Sequence, residues 1–302
     1  MSSIRITTFN LLHGMALTGG EQQAGTADPA RLIAAAAELT VDVLGIQEVD
    51  GFQDRSGNVD QTRILAEALG AEHWRFLPTL TGTPGRRRDW EPVDQRSGGH
   101  GTAGRRSTGH GTASLDAPED TGPADDHEQA ERPQYGIGLI SRFPVRSWHV
   151  RRFAAAPMTI PLIIPAKPRP RVLPVPDEPR AGLAAVIAHP AGDITVATAH
   201  LSFVPGFNVV QVRQLCAWLA ELPQPAVLAG DFNLPGALPR LITRWDSLAS
   251  AATYPSWKPG VQLDHILGRG LTRADVTEVG ATTLSISDHC ALSVTIRLPT
   301  TD

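Results

Sequence analysis

Gly230-Asp231-Phe232-Asn233, read with Ser287-Asp288-His289 near the end of the chain, decides the fold class. Val227-Leu228-Ala229 leads into the first motif, and Cys290-Ala291-Leu292-Ser293-Val294-Thr295-Ile296 leads out of the second. Each motif thus sets a carboxylate beside a second polar group at the end of an apolar, strand-like run. Strand ends on a rigid sheet hold side chains in working geometry better than loops do. Asp, Asn and His gathered in this way suit hydrolysis of a phosphate ester with a divalent metal.

Outward from these motifs the pattern is rich in strands. Ile4 to Phe9 alternates as a strand. Asp28-Pro29 supplies a cap and a first-turn proline for a helix over Ala30 to Leu39. Val41 to Ile46 is a continuous apolar run, as in a strand covered on both faces. Asp60 to Leu69 is an amphipathic helix stopped by Gly70, and Trp74 to Leu80 returns to strand. Tyr135 to Ser141, Ser147 to Phe153, Gly182 to Ala188 and Ile194 to Ala199 continue the series, the last two joined as a hairpin through Pro190-Ala191-Gly192-Asp193. Val209 to Leu222 is helical, and Val227 to Ala229, Leu263 to Leu267, Val276 to Val279 and Leu292 to Leu298 are strands. About ten strands with a few helices exceed a simple doubly wound sheet, so two packed sheets with helices outside are expected.

Two stretches break this order. From Thr83 to Pro133 Gly, Arg, Ser, Asp and Pro dominate, and His-Gly-Thr-Ala occurs at both His100 and His110. Six arginines between Arg86 and Arg106 are followed by seven acidic residues from Leu115 to Glu131, which is too little apolar surface to offset the entropy of ordering. Residues 83–133 are therefore read as a disordered insertion. Residues 157–179 carry eight prolines, which exclude a central strand or helix, so an ordered loop rimming a pocket is expected there.

The 302 residues, 41% of them apolar, suffice for one domain over 1–302. The net charge of −4 excludes a global basic field for polyanions. Cys216 and Cys290 fall inside regular elements and read as buried thiols of a reducing cytosol. The chain enters a strand at once and has no apolar run of about 20 residues, so neither a signal peptide nor a membrane span is expected. A cytoplasmic monomer is the resulting expectation.

The chemistry then distributes over residues near strand ends. Phosphorus is shielded by anionic oxygens, so a cation must neutralise the charge that develops on them. Glu48, at the end of Val43-Leu44-Gly45-Ile46-Gln47, is the best ligand, and Asn10 adds an amide oxygen. Asp231 is the candidate base, with Asn233 two positions on and so on the same strand face. His289 is placed to bond the phosphoryl oxygens, with Asp264 fixing its tautomer, while Asp288 reaches the metal through water.

Thr8-Phe9-Asn10, Ile46-Gln47-Glu48, Gly138-Leu139-Ile140-Ser141-Arg142, Thr198-Ala199-His200-Leu201, Gly230-Asp231-Phe232-Asn233, Leu263-Asp264-His265-Ile266 and Ser287-Asp288-His289 resemble, in order, the motifs of the endonuclease/exonuclease/phosphatase superfamily. The resemblance runs from residue 4 to residue 298. It implies a deoxyribonuclease I-like, four-layer α/β/β/α sandwich of two mixed sheets, and phosphoester cleavage with Mg²⁺, or alternatively Mn²⁺. It also implies that Glu48, Asn10 and Asp288 hold the metal, that Asp231 is the base, and that Asn233 and His200 hold phosphate oxygens. An Asp264-supported His289 would stabilise the transition state, and Arg180 would bind phosphate. Abasic-site endonucleases of this fold carry Asp two residues after the first Asn, where this chain has Leu12, and Lys after the motif Glu, where it has Val49. A small or lipid-like phosphodiester, or a phosphomonoester, is thus favoured over nucleic acid. The competing readings are a nuclease and a non-catalytic binding module.

Overall fold

The computed structural model describes residues 2–18, 21–22, 27–85, 87–93, 132–164 and 171–298. The first half supplies β1 (Ser2–Asn10), a short hairpin of β2 (Leu17–Thr18) and β3 (Glu21–Gln22), α1 (Pro29–Ala37), β4 (Val43–Gly51), α2 (Gln61–Ala68), β5 (His73–Gly82), β6 (Trp90–Pro92) and β7 (Gln134–Ser141). The second half supplies β8 (Val145–Phe153), β9 (Thr159–Ile164), β10 (Arg171–Pro176), β11 (Arg180–His189), β12 (Gly192–His200), α3 (Phe207–Leu219) and β13 (Ala226–Asp231). It closes with α4 (Leu238–Thr243), β14 (Asp246–Ser247), β15 (Asp264–Arg269), β16 (Val276–Thr282) and β17 (Ala291–Leu298). Asp28 and Asp60 cap α1 and α2 by accepting from Ala30 N and Arg63 N, as their positions before each apolar stripe require.

Two large mixed sheets result. One has the order β16-β17-β1-β4-β7-β5-β6, the other β14-β15-β13-β12-β11-β8, with β1–β4 and β12–β13 as the parallel pairs. Ile4, Ile6 and Val43 of the first sheet pack on Leu183, Ile194, Val196, Val227 and Ile266 of the second. Leu32 of α1 and Leu65 of α2 cover Phe9, Leu44 and Ile46 on the outer side of the first sheet. Val212 and Leu215 of α3 cover Ala184, Ala197 and Leu228 on the outer side of the second. Three separate apolar layers between four layers of structure give the α/β/β/α sandwich. The sheets approach closely at Gly45, where a Cβ would come within 2.6 Å of Thr198 Oγ1. Beside it Gln47 donates Nε2 to Thr198 Oγ1 at 2.7 Å and to Thr8 Oγ1 at 3.0 Å, a polar tie through the buried layer.

Two expectations are corrected. The stretch read as disordered from residue 83 begins folded: a 3-10 turn at Arg87–Asp89 leads into β6, whose Pro92 pairs with Leu80 of β5. Trp90, buried with Leu80 and Tyr135, gives this edge an apolar anchor that the polar composition around it conceals. Residues 94–131, including both His-Gly-Thr-Ala copies, lie outside the described residues. The proline-rich stretch is not a loop, since β9 and β10 form an antiparallel hairpin of their own with Pro161 opposite Pro174. Prolines excluded it from either large sheet, but a free two-stranded edge tolerates residues without an N–H.

Candidate active site

The second sheet brings three polar residues into lateral contact. His200 of β12 lies opposite Asp231 of β13, and Asp231 lies opposite Asp264 of β15. Val227 and Ala229 face the layer between the sheets, so the pleat turns Asp231 the same way. Gly230, with φ 149°, passes so close to its neighbour that a Cβ would meet Ala199 O at 1.9 Å. Glycine is thus required immediately before the carboxylate.

The first sheet contributes Asn10 at the end of β1 and Glu48 inside β4. Along β4, Val43, Gly45 and Gln47 face the other sheet, while Leu44 and Ile46 face the helices. Simple alternation would send Glu48 outward. A bulge between Ile46 and Val49 inserts one residue, and Glu48 takes a left-handed φ of 53° there. Its carboxylate consequently joins Asn10, whose Nδ2 donates to Glu48 Oε1 at 3.0 Å and to Asp231 Oδ2 at 3.1 Å. Asn10 thereby bridges the two sheets across the pocket, and its Oδ1 accepts from Leu12 N.

Ser287-Asp288-His289 sits in the bend before β17, not in the strand itself. Ser287 Oγ donates to Asn10 O at 2.6 Å and accepts from His289 N, which locks the bend onto the end of β1. His289 Nδ1 then meets Asp264 Oδ2 at 2.8 Å, and its Nε2 lies 3.8 Å from Asp231 Oδ2. Burial favours a neutral imidazole, but Asp264 at the ring, with Asp231 and Asp288 nearby, outweighs it and raises the His289 pKa well above its ordinary value. Tyr254 lies over the ring with centroids 5.0 Å apart.

His200 is held in the opposite state. Burial, then the Arg180 and His289 cations, push its pKa well down. Arg180 Nη1 approaches Nδ1 at 3.1 Å, and a guanidinium only donates, so the ring proton is on Nε2, which lies 3.7 Å from Asp231 Oδ2. Asn233 comes to the site by a turn and not by strand alternation: its φ is 50°, and its N–H donates to Asp231 Oδ1 at 2.9 Å. Its Nδ2 donates to Leu201 O and stands 3.4 Å from His200 Nε2. Burial first, against the pull of His289, brings Asp231 up to about 6, and Asp288 likewise to about 6.

Every site residue inferred from the sequence therefore lies at one mouth between the sheets. Sequence reasoning missed Ser287 as the clamp, Tyr254 over His289, and Asp177, which receives Ser202 Oγ and lies 3.6 Å from Arg180. Asp177 sits among prolines that signal only irregular chain. Ser287 precedes Asp288 directly, and a hydroxyl beside a strand-end carboxylate was the available signal.

The donor set suits a hard divalent cation. Four carboxylates, Glu48, Asp231, Asp264 and Asp288, act on one another or on His289, and Asp264 Oδ1 is buried without a hydrogen-bond partner. Among the described residues Asp231, Asp264 and His289 bring possible ligand atoms together, all within 4.8 Å of one another. The raised pKa of His289 favours an imidazolium, which has no lone pair to give, so that trio reads as an ion-paired group. The oxygens of Glu48 and Asp288 are the ones left for a cation.

The chain matches the model of the Endonuclease/Exonuclease/phosphatase family over residues 7–289 and belongs to that family. Its members are phosphoester hydrolases. In structure the chain is similar to a mannosyl-6-phosphatase of Bacteroides thetaiotaomicron, at 13% identity and a TM-score of 0.53, over 96% of this chain and 98% of that one. It is similar to a sphingomyelinase C of Streptomyces griseocarneus at 14% identity and a TM-score of 0.51, over 98% and 100%. It is also similar to a beta toxin of Staphylococcus aureus with bound magnesium ions, at 9% identity and a TM-score of 0.54, over 97% and 99%. These likenesses show the deoxyribonuclease I-like fold. No curated protein is matched by the sequence. No helix among the described residues is long and apolar enough to cross a membrane.

Proposed function

We propose that this protein is a Mg²⁺-dependent phosphodiesterase that takes a small or lipid-like phosphodiester. The observation that carries the reading is the His289–Asp264 pair facing Asp231, with Asn10 joining Asp231 to Glu48. Glu48 and Asp288 would hold the cation, and Asn10 joins them once its amide turns to free the oxygen that Leu12 N–H holds. When bound, the cation supplies charge neutralisation at the phosphoryl oxygens. Asp231, brought near neutrality by burial, takes the proton of the attacking water. Asn10 and Asn233 N–H fix its two oxygens, so the base is aimed before substrate arrives.

Protonated His289 donates Nε2–H toward the phosphoryl oxygens, and Asp264 fixes both ring and tautomer. Neutral His200 offers its own Nε2–H, and Asn233 Nδ2 stands beside it as a second donor. Arg180, buried and with an Nε that has no hydrogen-bond partner, adds the positive potential an anionic group requires. Leu12 in place of a carboxylate, the net charge of −4 and a sphingomyelinase-like neighbour support a small or lipid-like ester over nucleic acid.

The test is product release from bis-p-nitrophenyl phosphate, sphingomyelin, inositol phosphates, RNA and plasmid DNA, with and without EDTA. Cleavage of the first or second substrate, lost with EDTA and restored by Mg²⁺, is the expected result. Cleavage that survives EDTA would overturn the mechanism, and preferential nicking of plasmid DNA at physiological salt would reverse the substrate order.

A further inference from the structure

The surface around the pocket mouth is unevenly apolar. Among the described residues eleven large hydrophobic side chains are exposed, and six of them, Phe207, Val210, Leu238, Leu241, Trp257 and Val261, lie on three segments tied to the site. Asn208, next to Phe207, donates Nδ2 to Asn233 O at 3.0 Å. Gly236 N donates to Gln262 O at 3.0 Å, joining the segment before α4 to the one that carries Trp257 and Val261. That last segment is closed by a bridge between Tyr254, which covers His289, and Val261. Phe207 and Val210 stand one turn apart on α3, and Leu238 and Leu241 one turn apart on α4, which packs on α3.

Charge follows the same segments. Arg213, Arg240, Arg244 and Lys258 are exposed there, and none is paired with a carboxylate among the described residues. Stretches 206–244 and 254–263 hold only two carboxylates, buried Asp231 and Glu221 at the far end of α3. A chain of net charge −4 thus gathers unpaired cations on an apolar rim. Basic heads around exposed leucine, phenylalanine and tryptophan match a lipid interface, where apolar side chains enter the acyl boundary and cations meet anionic headgroups. Self-association through this face would instead set like charges against each other.

We propose that this rim docks the protein on an anionic lipid surface, so that the pocket mouth opens onto the headgroups. The inference rests on the lipid-like arm of the function proposed above and gives that arm its means of reaching substrate.

Flotation of the whole chain with vesicles of phosphatidylcholine and phosphatidylserine in equal parts tests it. The wild-type chain is expected to float, and binding is expected to fall about tenfold or more in a Leu241→Glu, Trp257→Ala variant. Binding by the wild-type chain should also weaken as salt is raised. Hydrolysis of dissolved bis-p-nitrophenyl phosphate should be unchanged in the variant, because both side chains are exposed and neither bonds a residue of the proposed site. A wild-type chain that does not float, equal flotation of both proteins, or a dimer broken by the same substitutions would each overturn the proposal. Flotation is scored in Asp231→Asn as well. A chain that floats but cleaves no phosphoester would keep the docking surface and lose the proposed function.

Discussion

The two sheets build their halves of the pocket by different means. On the six-stranded sheet His200, Asp231 and Asp264 are lateral neighbours in regular register, turned inward by the pleat. On the seven-stranded sheet Glu48 reaches the pocket only through a bulge and a left-handed backbone at φ 53°. His200, Asp231 and Asp264 thus sit at regular strand positions, while Glu48 carries a left-handed backbone. The difference teaches that inward side chains on neighbouring strands are aligned by sheet geometry alone, whereas a carboxylate brought in from the facing sheet requires a local break in periodicity.

This comparison can be broken at several points. The largest effect is expected for Asp264→Asn, which leaves His289 packed but without its anionic partner. The rate should fall by about 10³–10⁴-fold with the melting temperature little changed, measured as kcat on bis-p-nitrophenyl phosphate. Asp231→Asn should cost about 10²–10⁴-fold in the same assay. Retention of near wild-type rates by either variant would dissolve the proposed roles of Asp231 as base and of Asp264 as the partner of His289.

A pH experiment probes the seven-stranded side near the pocket. His13 follows β1, and burial, then the Arg55 cation, push its pKa down to about 3. The unfolded chain therefore takes up this proton first, so the contribution is fully present above about pH 6.5 and is lost as pH falls toward 3. His13→Asn should flatten the stability curve across that window, as read from urea midpoints, and an unaltered slope would refute it. Asn also tolerates the left-handed φ of 47° at this position.

A small change in stability sharpens the contrast most. Glu48→Gly should raise unfolding stability by about 1 kcal/mol, since glycine relieves the positive φ, while Mg²⁺ binding by calorimetry and hydrolysis are lost. A regular strand position should not behave so: Asp231→Gly should bring no comparable gain. If Glu48→Gly is destabilising, the bulge is not a site of strain.

Much of this was legible from the sequence because strand alternation and strand ends are local. Val227, Ala229 and Asp231 lie on one face by period alone, and Asp28 and Asp60 announce their helices as caps. What escaped was non-local or broke the period. Asn233 was assigned to the Asp231 face by counting, yet it arrives through a turn beyond the strand. Trp90 anchors β6 within a stretch whose composition argues against order, because Leu80 and Tyr135, distant in sequence, bury it.

The sequence by itself determined the class of chemistry and the sandwich that supports it, since hydrophobic periodicity and residue type suffice for both. Only the tertiary structure decided which way Glu48 points, how Ser287 pins His289 to the end of β1, and that the pKa of His200 is pushed down while that of His289 is pushed up. Those outcomes depend on what lies across the gap between two sheets. Burial and neighbouring charge act through space, and the distances that set their strength are absent from the order of residues along the chain.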